Sequence, residues 1–99
     1  MNEPGIAKDL DAFDQLLAGL HHFPPEQASL LIEHLQGARF YLAGSMPHEL
    51  AFNLNLAESA VDNLRDSGMK DRVRQFIDHY RQESHHGASG ATRQPGANS

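Results

Sequence analysis

The chain has no cysteine, which excludes disulfide stapling, thiolate metal sites and a cysteine nucleophile, and fits a reducing compartment. It also lacks any apolar run approaching the ~20 residues that a membrane-spanning helix needs. Its start, MNEPGIAKDLDAF, has neither the basic beginning nor the apolar stretch of a secretory signal. A cytoplasmic location without membrane association is expected. Basic residues are scarce: 8 Lys and Arg stand against 13 Asp and Glu, a formal charge of -5, so steering toward nucleic acid is disfavoured for the domain as a whole. Gly-rich phosphate loops, HExxH and paired catalytic carboxylate motifs are missing, so no catalytic residue, cofactor, metal site or small-molecule substrate is expected, and the protein reads as no enzyme.

Large apolar residues are absent from the end of the chain. ESHHGASGATRQPGANS is rich in Gly, Ser, Ala and Pro and has no large apolar side chain, too little apolar surface to offset the entropy of ordering. The sequence therefore divides into a helical domain over 1–83 and a disordered tail over 84–99. A domain of that size buries only about 60% of its unfolded surface, and a partner chain is expected to make up the shortfall.

What is present is helical periodicity. Ile6, Leu10, Phe13, Leu17 and Leu20 step by four and three, and Ala28, Leu31, Leu35, Ala38 and Leu42 repeat the pattern after HHFPP, with Pro25 suited to a helical first turn. Gly44 and Ser45 offer a C-terminal and an N-terminal cap, and Pro47 opens a third segment carrying Leu50, Leu54, Ala57, Val61 and Leu64. Ser67 is placed to cap a fourth, with Met69, Val73, Phe76 and Tyr80 on one face and an Arg74 to Asp78 pair on another. The fold class is all-α: a small four-helix bundle or paired helical hairpins, with sequence neighbours antiparallel.

Several apolar residues are left over once these stripes are filled. Among them Phe40, Tyr41, Phe52, Leu56 and Ile77 widen the apolar faces beyond a narrow seam. They are the expected partner-binding residues of a regulatory or adaptor protein that forms a homodimer and docks a protein partner through a helix face. The acidic residues Asp9, Asp11 and Asp14 of the first helix are placed to meet a basic partner surface.

Gly44, Glu49, Leu50, Ala51, Leu54, Asn55, Leu56, Ala57, Glu58 and Val61 stand at a spacing that suggests a second reading. Residues 44–64 resemble the helix-turn-helix of LuxR/GerE-type bacterial transcription activators. That resemblance implies a third segment split at Leu54 to Leu56, with Asn55 left-handed at the turn. It also implies DNA contacts through Ser59, Asn63, Arg65, Lys70 and Arg72. A continuous amphipathic helix demands Leu50, Leu54, Val61 and Leu64 equally, and the outward Glu58, Asp62 and Asp66 would repel phosphate. A degenerate relative that pairs with a DNA-binding protein combines the two readings.

Seven histidines are present. His21 and His22 suit the negative end of the first helix, while His79 and Glu83, four apart, lack the further ligands a metal needs. His34 in EHLQGA resembles the phosphoacceptor of histidine phosphotransfer domains, but Gly37 follows too early and Gln36 replaces the expected Lys. An exposed helical histidine is the simpler expectation.

Overall fold

Four helices follow the four apolar stripes: α1 (Glu3–Leu20), α2 (Pro25–Ala43), α3 (Pro47–Ala60) and α4 (Ser67–Ser89), with a 3-10 turn at Val61–Asn63 before the last. The computed structural model describes residues 3–89, with side chains described for residues 6–82, and contains no strand among them. The tail assigned from Ser84 falls on residues whose side chains lie outside this description, and residues 90–99 lie outside it altogether.

Proline sets the first break. Pro24 is extended, with φ -58° and ψ 143°, and its carbonyl accepts the amides of Gln27 at 2.9 Å and Ala28 at 3.1 Å. Pro25 then occupies the first turn of α2, where its missing N–H costs nothing. Phe23 and Ala28, at the two positions that a hydrophobic staple would use, line one cleft across this start.

At the α2–α3 break Gly44 is the C-cap of α2, as expected, but the expected N-cap Ser45 does not cap α3, whose N-cap is Met46. Gly44 keeps a negative φ of -87°, and Ser45 takes the left-handed conformation at φ 57°. The Met46 amide donates to the Tyr41 carbonyl at 2.9 Å and the Ser45 amide to the Leu42 carbonyl at 3.1 Å. These two bonds make a Schellman motif with Ser45 in the position that glycine favours. A side chain there costs ~1 kcal/mol, so Ser45→Gly is expected to raise stability by about 0.5 kcal/mol after the added freedom of the unfolded chain is subtracted. Thermal unfolding followed by circular dichroism should show a rise of roughly 2–4 °C; an unchanged or lower midpoint would mean the Ser45 side chain stabilises the turn.

The third break departs from the expectation of one helix through Leu64. α3 ends at Ala60, the chain tightens into the 3-10 turn, and Leu64 is extended at ψ 147° with its side chain still buried. Asp62 and Asn63 favour such turns, and the Gln27 side chain accepts the Arg65 amide at 3.2 Å from across the bundle. The cap of α4 is Asp66 rather than Ser67: its Oδ1 accepts the Met69 amide at 2.9 Å.

Side-chain bonds give the register of the bundle. Arg39 of α2 meets Asp14 of α1, with Nε 2.8 Å from Oδ1, and Arg74 and Arg81 of α4 meet Asp62 and Glu58 respectively. Neighbours thus run antiparallel as up-down-up-down. The α2–α3 seam is filled by small residues, Ala38 and Ala57 among them, both fully buried, so these backbones approach closely. A Cβ on Gly37 would stand 2.7 Å from Asn53 Oδ1, so a larger residue there would have to displace the tip of the Asn53 side chain. Between α1 and α4 the filler is aromatic. Phe13 stands edge-on to Phe76 with centroids 4.8 Å apart and lies 5.1 Å from Tyr80, while the Tyr80 hydroxyl donates to Asp9 at 2.9 Å. No helix among the described residues is long and apolar enough to cross a membrane.

Candidate functional site

The core is complete without two of the largest apolar side chains. Phe40 on α2 is 68% exposed and Phe52 on α3 is 63% exposed. At 100° per residue, Leu50, Leu54 and Ala57 define the inward side of α3, and all three are buried. Phe52, two positions from Leu50 and Leu54, is carried to the outside. Phe40 follows the inward Ala38 in the same relation on α2.

The two rings belong to one surface. Gly37 and Asn53 touch across the helix pair; Phe40 lies one turn beyond Gly37, and Phe52 precedes Asn53. The Phe40 ring stands edge-on to Tyr41 at 5.3 Å, and the half-buried Tyr41 packs on the core. Leu56, one turn beyond Phe52, is half-buried. Leu30 and Met46 are exposed as well. Expected partner-binding residues Phe40, Tyr41, Phe52 and Leu56 therefore come together on the outer side of the α2–α3 hairpin.

Ile77 does not join them. It is 0% exposed, and meeting a partner would require opening the core. The stripe along α4 includes Val73, Ile77 and Tyr80, all buried, while Phe76 is only partly buried against α1. Ile77 is thus corrected from surface to core.

The rim of the face is acidic. Glu26, Glu33 and Glu49 are exposed, and α2 and α3 contain between them one Lys or Arg, Arg39. That guanidinium is turned to α1, where Nη2 also donates to Asp14 Oδ2 at 3.2 Å. Aspartates expected to greet a partner from α1 are partly occupied within the fold: Asp14 by Arg39 and Asp9 by Tyr80.

The opposite flank of α3 is tied to α4 by Arg81. Its Nη1 donates to Asn55 Oδ1 at 2.8 Å and to Glu58 Oε1 at 2.5 Å, and its Nη2 donates to Asp78 Oδ1 at 2.6 Å. The hydrogen bond to Glu58 is the largest influence raising the guanidinium pKa, opposed by desolvation and aided by Asp78. Asn55 is a helical residue within unbroken α3, so the left-handed turn that the helix-turn-helix resemblance placed there does not form. Its amide oxygen instead serves the Arg81 clasp. The expected Arg74 to Asp78 pair is likewise replaced: Arg74 reaches Asp62 at 2.9 Å, and Asp78 turns to Arg81.

Residues implied in DNA contact lie around the α3–α4 connection. Ser59, Asn63, Arg65 and Arg72 are exposed and Lys70 is half-buried. Arg72 leans toward α1, its Nη1 3.8 Å from the place a Cβ on Gly19 would take, while Ser59 sits on α3. Asp62, Asp66 and Asp71 are interspersed and exposed.

The histidines are scattered. His21 and His22 are exposed at the end of α1, His48 is exposed on α3 and His34 is half-buried on α2; His79 stands edge-on to Tyr80 at 4.7 Å. Among the described residues no three metal-ligating side chains converge. The cleft under Phe23, lined also by His21, Ser29 and Ile32, holds about 200 Å³, less than the ~300 Å³ of ordinary small-molecule sites.

Comparison with protein-family models, curated proteins and solved structures gives no match.

Proposed function

We propose that this is a small non-enzymatic adaptor or regulatory protein that docks another polypeptide through the outer face of its α2–α3 hairpin. The observation that carries this reading is the joint exposure of Phe40 and Phe52 on adjoining helices, at 68% and 63%, in a domain whose core closes without them. Burying two phenyl rings of this kind on association is worth ~1.5–3 kcal/mol each in apolar transfer. Aromatic side chains are also the residue class most enriched among binding hot spots. The exposed Leu30 and Met46 add apolar surface on α2 and in the α2–α3 connection.

Site-specific crosslinking tests it. A photoreactive phenylalanine analogue placed at Phe52 in the full chain is expected to form a discrete covalent adduct with a polypeptide in cells. The same analogue at the exposed Asp11 of α1 should not, and Phe40→Ser should remove the adduct. Equal labelling from both positions, or none at Phe52, would sink the reading. A transcription regulator acting through Arg65, Lys70 and Arg72 would instead show DNA binding that weakens steeply with salt and is indifferent to Phe40→Ser.

A further inference from the structure

We infer that the occupant of the α2–α3 face is a basic amphipathic helix of a different protein, and not a second copy of this chain. This inference rests on the docking reading above and adds the chemistry of what docks.

Charge complementarity decides between the two occupants. Leu30, Phe40 and Phe52 are bordered by Glu26, Glu33 and Glu49, all exposed, and the single Arg of these helices is held by Asp14 on the α1 side. A twofold dimer through this face would be isologous, with the same patch supplied by both copies. Each rim carboxylate would then find carboxylate, apolar surface or the imidazoles of His34 and His48 opposite it, and no Lys or Arg free to pair with it. Arg65 and Arg72 are exposed and in no ion pair among the described residues, but they lie around the start of α4, outside the patch that an isologous contact uses on both sides. Like charges set against one another at an interface are a strong bar to a wrong partner. An anionic lipid surface meets the same objection.

A helix with apolar anchors at i, i+3, i+4 and i+7 and Lys or Arg beside them satisfies both parts of the face. Its anchors cover the Phe40 and Phe52 rings, in the helix-on-groove mode of recognition. Its cations meet Glu33 and Glu49, which mainly set selectivity and the rate of encounter.

The test is a displayed library of amphipathic 18-residue helices with fixed Leu, Phe and Met anchors. Flanking positions are drawn equally from Lys, Glu and Ser, and the library is selected on the immobilised full chain. The expected result is enrichment that vanishes on the Phe40→Ser/Phe52→Ser double variant, with the Lys to Glu ratio at flanking positions raised at least about fivefold, as charge selectivity of this kind implies. A Glu33→Lys/Glu49→Lys variant should reverse that preference. Phenylalanine-dependent enrichment without a basic bias would overturn the inference and leave the docking face standing. So would a dimer, seen by light scattering, that Phe40→Ser/Phe52→Ser dissolves. Enrichment indifferent to Phe40 and Phe52, or none, would overturn both readings.

Discussion

Phe13→Ala is expected to lower stability by about 3–5 kcal/mol, the usual cost of emptying a buried phenylalanine site. Total stability for a domain of this size is only ~5–15 kcal/mol, so the midpoint of thermal unfolding should fall by roughly 15–30 °C. The position is severe for a geometric reason. Small residues let α2 and α3 approach, and there a lost side chain is partly absorbed by helix movement. Between α1 and α4 the space is spanned by rings, with Phe13 fully buried against Phe76 and Tyr80. Removing the central ring leaves Phe76 without its edge-on partner, and the Asp9 to Tyr80 hydrogen bond resists collapse into the gap. Tyr80→Phe removes the hydroxyl that makes this bond and keeps the ring, and should cost about 1 kcal/mol. Urea unfolding of both variants checks the pair; a loss below ~1 kcal/mol for Phe13→Ala would mean that α1 is not integral to the core.

Much of this fold was legible in the stripes. Leu31, Leu35, Leu54 and Val73, each assigned inward by its spacing, are all fully buried, because helical period is a local property that packing here confirms. What was not legible depends on partners distant in the chain. Asn55 has a local tendency toward left-handed turns, yet Arg81, 26 residues away, binds its side chain while the residue stays helical. Arg74 had Asp78 one turn along, but exposed pairs of that kind are worth only ~0.3–0.5 kcal/mol, too little to hold the arginine when Asp62 also lies within reach. Ser45 took the left-handed position because the bond from Met46 back to Tyr41 determines where the helix ends. For the candidate site, the surplus of apolar residues announced a face but did not identify all its members. Phe76 and Ile77 are neighbours that both fit a helical stripe, and only the placement of α1 against α4 decides which is wholly buried.

That distinction is the second large expected effect. Ile77→Ser should destabilise the domain by about 3–5 kcal/mol, since it removes a fully buried side chain and leaves a hydroxyl in an apolar site. Phe52→Ser, a larger loss of apolar atoms, should change stability by no more than ~0.5 kcal/mol, because its ring already stands mostly in water. Area alone predicts the reverse order; exposure in the folded state, 0% against 63%, is what inverts it. The two effects should also separate by readout. Ile77→Ser lowers the urea midpoint and loses partner binding only in proportion to the unfolded fraction, whereas Phe52→Ser keeps the urea midpoint and loses binding outright. Thermal and urea unfolding of the isolated protein, paired with crosslinking from the analogue placed at Phe40, measures both. Similar destabilisation by the two substitutions would place Phe52 among the residues that hold the isolated chain together, and the α2–α3 face would then be part of the core rather than a surface for a partner.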